Sequence, residues 1–282
     1  MQKAKGLLLV ALALMLTLGV MGLVGCGEAE EEAVAIRSVD DLTEGDKIGV
    51  QSGTTGELWA KENLEPQGVE IVPYDDVLAA FAALQAGDVV GVINDLPTSQ
   101  EIAADPARNI EVVQEIETGE QYGFAFNKEN TELRDAVNWG LGEIIADGTY
   151  DEIYEKWFGA PPMSIPEGAY DGDKPADDEI ETLTDGKIIV GSDTAYPPFE
   201  FVEDGETVGF DVDIVKAVGE KIGLEVEFLS YKFDALITDL QAGTSFDMVA
   251  SAMTITEERA QSVDFSDPYI NSNQSLTVSK VD

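Results

Sequence analysis

Apolar positions along the chain fall into two rhythmic blocks with a polar seam between them. In the first block, short apolar runs bounded by Gly, Asn or Asp read as buried strands: KIGVQS from Lys47, VEIVPY from Val69 and VVGVIND from Val89. Between them, apolar residues recur at helical spacing around Glu57 to Leu64 and through VLAAFAALQAG from Val77. NIEVVQEI and YGFAFN predict two more strands, and Thr131 to Trp157 predicts a helix interrupted at Asp147-Gly148. Repeated strand, helix, strand predicts a mostly parallel sheet flanked by helices, an α/β fold.

Residues 161–185, PPMSIPEGAYDGDKPADDEIETLTD, hold Pro, Gly and Asp with no sustained period and predict a linker. The rhythm resumes with KIIVGSD as a strand, PPFEF as a turn into an extended piece and Phe210 to Ile222 as a helix. VEFLSY, FDALITDLQAG, FDMVAS and SLTVSK then predict strand, helix, strand, strand. No sequence repeat relates the two blocks, so two complementary lobes are expected rather than a duplication.

Ahead of both blocks, Lys3 and Lys5 precede an apolar run from Leu7 to Val24 and then Gly25-Cys26, the three-part layout of an export signal over residues 1–25. The tetrapeptide Leu23-Val24-Gly25-Cys26 resembles a bacterial lipobox, which implies a mature chain starting at Cys26 with lipid on its sulfur. An uncleaved membrane helix is the other reading of this run. Residues 26–35 are short and charged, which suits a tether, and no later segment is long and apolar enough to span a bilayer.

Charge and composition then narrow the chemistry. Of 282 residues, 56 are Asp or Glu and 16 are Lys or Arg, a formal charge of -40 that repels nucleic acid and anionic headgroups. Histidine is absent, which removes the commonest general base near neutrality and the commonest metal ligand. Cys26 is the single cysteine, so neither an intrachain disulfide nor a thiolate cluster can form, and no metal or cofactor is expected.

Six segments carry a family likeness: KIGVQSGTTGE, GVINDLPTS and DGTYDEIYEKWFG in the first block, and GSDTAYPPFEF, GFDVDI and FDALITDLQAGTSFDMVASAMTITEERAQSVDFSDPY in the second. Together they resemble the polar amino acid-binding proteins of ABC importers, the bacterial extracellular solute-binding proteins of family 3. The resemblance implies a two-lobed, periplasmic-binding-protein-like fold of type II. It also implies a lipid-anchored, extracytoplasmic receptor, not an enzyme, that hands a free amino acid to importer membrane subunits. The usual order of the halves is exchanged, which reads as a circular permutation. On that reading residues 36–121 form one lobe, residues 122–160 and 186–282 the other, and residues 161–185 join the usual termini. A monomer with one covalent hinge strand near Gln121 to Asn127, and hence a soft hinge, is expected. A cyclohexadienyl dehydratase-like enzyme and a sensor for a separate membrane kinase are the competing readings.

For the ligand carboxylate the choice is Arg259, whose planar fork can make two parallel hydrogen bonds, with Thr256 as N-cap of its helix. Thr254 and, across the cleft, Thr54 and Thr55 beside Gly53 and Gly56 join it by resemblance. Asp95, at the end of GVIND, is placed by the resemblance on the ligand ammonium. The resemblance puts Tyr196, Phe233, Asp193, Gln51, Asn94 and, ranked last, Asp211 around the ligand side chain. Blander readings stay open: Arg259 neutralised by Glu257 and Glu258, SGTTGE as a turn, Asp95 as a helix cap, Phe233 as core. With no second basic residue among these positions, a polar or basic side chain is expected over an acidic one.

Overall fold

The computed structural model describes residues 35–281 except 167, 169 and 171. The export signal, Cys26 and the tether up to Val34 lie outside the described residues. The first block runs β1 (Lys47–Gln51), α1 (Thr55–Asn63), β2 (Glu70–Tyr74), α2 (Val77–Ala86), β3 (Gly91–Asp95), α3 (Leu96–Ala104) and the long β4 (Ile110–Tyr122). After β5 (Ala125–Phe126) come α4 (Thr131–Ala146) and α5 (Thr149–Phe158), split at Asp147-Gly148 as the sequence predicts. The second block runs β6 (Lys187–Ser192), the hairpin strands β7 (Ala195–Tyr196), β8 (Glu200–Glu203) and β9 (Glu206–Val208), α6 (Phe210–Ile222), β10 (Glu225–Ser230), α7 (Leu236–Ala242), β11 (Met248–Val249), α8 (Glu257–Ala260), β12 (Asp264–Phe265) and β13 (Ile270–Ser279).

Two five-stranded sheets result, ordered β2-β1-β3-β13-β4 and β10-β6-β11-β5-β12. In each, three strands pair in parallel, the fourth runs antiparallel to them, and the fifth, paired antiparallel with the fourth, returns to the direction of the first three. The fourth strand of each sheet is supplied by the other block: β13 enters the first sheet and β5 enters the second. The two lobes therefore share one topology although no sequence repeat relates them, because strand pairing depends on period and register rather than residue identity.

This exchange corrects two expectations. Residues 270–281 do not belong to the lobe of 186–269, because β13 pairs along its length with β3 and β4. The chain also passes between the lobes twice, through Gly123-Phe124 and through Ser266–Tyr269, so the hinge is not a single covalent strand and the reason for a soft hinge falls away. The two passages are bonded together: Ser266 N–H donates to Phe124 O at 2.8 Å, Phe124 N–H to Ser266 Oγ at 2.9 Å, and Tyr269 N–H to Tyr122 O at 2.9 Å. Their aromatic rings are buried, with Phe124 stacked on Tyr269 at 4.3 Å and Tyr122 edge-on to Phe199 at 5.4 Å.

Residues 161–185 contain no helix or named strand among those described, yet they are pinned to the second lobe rather than swinging free. Tyr170 N–H donates to Asp267 at 3.0 Å, Lys174 to Ile222 O at 3.1 Å and Leu183 N–H to Asp247 at 2.6 Å. Among the described residues no helix is long and apolar enough to cross a membrane.

Candidate functional site

The parallel strands of both sheets end at one cleft. In the first lobe β1 delivers Gln51 and the SGTTG turn, and β3 delivers Asp95; in the second β6 delivers Asp193, and β11 leads into Ser251–Thr254. Thr54 caps α1, its Oγ1 accepting from Glu57 N–H at 3.1 Å and donating to Gln51 O at 2.8 Å. Two glycines make room for this. At Gly53, with φ of 78°, a Cβ would lie 3.1 Å from Asp234 of the facing lobe, and at Gly56 it would lie 2.7 Å from Gln274 Oε1.

Thr256 caps α8 by accepting Arg259 N–H at 3.1 Å, as the sequence predicts. The guanidinium of Arg259 then turns into the cleft instead of toward Glu257 or Glu258. It donates to Thr254 O at 2.7 Å and across the cleft to Gly53 O at 3.0 Å, and its Cζ sits 5.3 Å from the Phe233 ring centroid. Both bonds go to neutral carbonyls, so the fork has no anion of its own.

Gln51, Thr54, Thr55, Asp95, Tyr196, Phe233, Thr254 and Arg259 all line one closed cavity of about 10 Å³, room for a single water, together with Ser251 and Ala252. Asp95 occupies the cap position of α3 but accepts no helix N–H; it accepts Tyr122 O–H and Gln274 Nε2 instead. Thr55 and Thr254, from opposite lobes, donate to the same oxygen, Glu120 Oε2, at 2.8 and 2.6 Å. Gln51 Nε2 donates to Asp193 across the cleft, while Gln51 Oε1 is buried with no partner.

Three candidates stand back from the cavity: Asp193, which meets it through the Gln51 amide, Asn94 and Asp211. Asn94 is buried and acts through Tyr196, whose hydroxyl donates to Asn94 Oδ1 at 3.1 Å. Asp211 does not reach the cavity: it lies beneath the floor, fully buried, accepting Ala252 N–H at 2.9 Å and Tyr269 O–H at 2.7 Å. That grip holds the floor residue Ala252 at φ of 43°, in the left-handed region that costs an alanine energy. Asp211 Oδ1 and Glu200 Oε2 are buried with no donor, and burial raises the pKa of both carboxyl groups, with the Asp211 charge adding to the rise at Glu200.

Electrostatically the cleft sets one guanidinium against several carboxyl groups. Burial lowers the pKa of Arg259, opposed by the charges of Asp95 and Glu120. Burial and then Glu120 push Asp95 up to about 7, against the hydrogen bonds from Tyr122, Tyr196 and Gln274. Asp193 is pushed up to about 6, first by burial and also by the nearby Asp76 and Asp234, against the Gln51 amide. Among the described residues no group of three His, Cys, Asp or Glu side chains could hold a metal ion.

Sequence reasoning did not find Glu120, Gln274 or Tyr122. Glu120 and Gln274 face the cleft because three residues of β4, Glu117–Gly119, oppose the single Asn273 of β13, and this bulge re-aims the strand. Asn273 Oδ1 holds the bulge by accepting Thr118 and Gly119 N–H at 3.1 and 2.9 Å. The usable signal was Gly119 within an otherwise strand-like run, a common mark of a bulge.

Comparison with known proteins identifies a family. The family described as bacterial extracellular solute-binding proteins, family 3, matches residues 29–160 and 188–282. The arginine-binding extracellular protein ArtP of Bacillus subtilis (strain 168) is 45% identical over 96 residues, 34% of this chain and 37% of that protein. The L-cystine-binding protein TcyJ of Escherichia coli (strain K12) is 34% identical over 125 residues, 44% of this chain and 46% of that protein. A solved ancestral arginine-binding protein bound to arginine is 49% identical, covering 30% of this chain and 38% of that one with a TM-score of 0.29. The chain thus spans less than half the length of these relatives in any one alignment.

The raised pKa of Asp95 fixes a sign. Between its ordinary 3.8 and about 7 the folded state keeps a proton that the unfolded chain releases, so stability declines as pH rises through that window. Without amino acid present, Asp95→Asn is expected to be more stable than the parent at pH 8 by roughly 1–3 kcal/mol, with the gain gone at pH 4. Urea unfolding at the two pH values checks this; an equal effect at both contradicts it.

Proposed function

The chain belongs to the bacterial extracellular solute-binding proteins, family 3, and from that premise we propose that it captures a free polar or basic amino acid between its lobes and delivers it to an ABC importer. The observation that carries this reading is that Arg259 and Thr254 of one lobe and Asp95 and Thr55 of the other line the same cavity. On this reading Arg259 takes the ligand carboxylate in place of its two carbonyl partners, and Asp95 takes the ammonium. Since each lobe supplies part of the shell, the ligand makes most contacts when the cleft is closed and draws the population to that state.

The far end of the cleft supports a side chain rich in donors. Gln51 Oε1 is a buried acceptor without a partner, and Asp193, with Asp76 and Asp234 near it, supplies negative potential, while the exposed Lys232 nearby is paired with Asp75. Tyr196 and the partly buried Phe233 add aromatic faces that suit an extended or cationic side chain. A lipid on Cys26 would hold the receptor at the membrane beside its importer. The order of events requires binding and release only, with no bond made or broken in the ligand.

A thermal-shift screen of the twenty amino acids on residues 27–282 is expected to single out a basic or amide amino acid. Arg259→Ala is then expected to weaken its binding at least about 100-fold by calorimetry. No stabilisation by any amino acid would overturn the receptor reading; preference for glutamate would overturn the side-chain assignment. Turnover of prephenate or arogenate would favour the dehydratase reading instead. For the anchor, Cys26→Ser is expected to lose fatty-acid labelling and membrane retention, and unchanged labelling would contradict it.

A further inference from the structure

Glu120 stands where neither the ligand nor either lobe's own chemistry requires an anion. It sits on β4 at the passage between the lobes, is 8% exposed, and reaches the cleft from the hinge side. There a wider groove lined by Trp59, Glu117, Glu120, Thr55 and Thr254 backs onto the cavity. Its Oε2 accepts Thr55 Oγ1 at 2.8 Å and Thr254 Oγ1 at 2.6 Å, and its Oε1 accepts Thr118 Oγ1 at 3.0 Å and Gln274 Nε2 at 2.9 Å. Each threonine hydroxyl has one proton, so both are directed at Glu120 and away from the cavity.

We propose that Glu120 is an internal stand-in for the ligand carboxylate, a specificity and switching residue that bridges the lobes in the empty receptor and must give up the Thr55 and Thr254 protons when an amino acid binds. The inference rests on the amino acid receptor reading above. A carboxylate oxygen accepting one hydroxyl from each lobe is the bond pattern a bound amino acid would make at the same threonines. The bridge adds to the other bonds that cross the cleft, from Arg259 to Gly53 O and from Gln51 to Asp193. Arg259 is left out of the arrangement: its fork spends itself on carbonyls, so the guanidinium stays available to an arriving anion. An incoming carboxylate therefore meets a cation bonded only to carbonyls but competes with a resident anion for both hydroxyl donors. The closed empty state lowers apparent affinity by the fraction of molecules it withholds from binding.

Glu120→Gln tests this directly. Gln at this position keeps an acceptor for Gln274 Nε2 and turns a donor toward the two threonines, which frees their protons for the ligand. With the best amino acid from the screen, calorimetry is expected to show binding roughly 5- to 10-fold tighter than the parent. X-ray scattering of the ligand-free variant is expected to show a larger radius of gyration than the ligand-free parent. Unchanged or weaker binding by a folded variant overturns the proposal while leaving the receptor reading intact, since the parent still binds. Should the variant fail to fold, the parent alone decides: scattering is expected to change little on adding the amino acid, and a large compaction overturns the stand-in role. Absence of any amino acid binding by the parent is the separate failure of the receptor reading.

Discussion

Carboxyl ends of parallel strands carry the polar loops of an α/β sheet, and in this protein two such sets of ends are made to face each other. The force that does it is the strand exchange: β13 completes the sheet begun by the first block and β5 completes the sheet begun by the second. Neither sheet can be built without the passage segments, so the hinge is part of both cores. Tyr122, Phe124 and Tyr269 are fully buried there, and Tyr150 anchors the passage by donating to Tyr269 O at 2.7 Å. The position of Asp95 relative to Arg259 thus follows from how two strands cross, as much as from the loops that hold them.

Within the cleft that exchange creates, the balance of charge is uneven by design of sequence. Asp95 and Glu120 face the half-buried guanidinium of Arg259, and burial pushes the carboxyl groups of Asp95 and Asp193 toward neutrality. Below the floor, Glu200 and Asp211 form a second buried acid pair, which fixes the strained Ala252 from beneath. An ammonium arriving at Asp95 and a donor arriving at Gln51 or Asp193 would each restore the charged or bonded state that burial opposes. Ligand binding and carboxyl ionisation are in this sense one linked event.

Much of this could be read from residues alone. The βαβ rhythm gave the parallel strands because period and boundary residues are local, and the helix start at Thr256 was visible in its capping chemistry. Arg259, Thr55 and Asp95 were found through motifs, and they meet at one cavity. What escaped were features that exist only after distant strands pair. Residues 270–274 were not seen as a strand because the positions that alternate inward, Ile270, Ser272 and Gln274, are mostly polar, and pairing with β4 sets that alternation. Glu120 looked like one more surface acid in ETGEQ until a bulge turned it inward, and Asp211 looked like a ligand residue until it was found beneath the floor, accepting from Ala252 and Tyr269.

The account depends on Arg259 and Asp95 holding opposite ends of one zwitterion. Calorimetry should compare the best-binding amino acid with its decarboxylated and its desamino analogues on the parent, on Arg259→Ala and on Asp95→Asn. The account predicts that losing the ligand carboxylate costs the parent heavily and costs Arg259→Ala almost nothing, while losing the ligand amine shows the same pattern for Asp95→Asn. Losses that simply add, with each variant discriminating the analogues as sharply as the parent does, would contradict it.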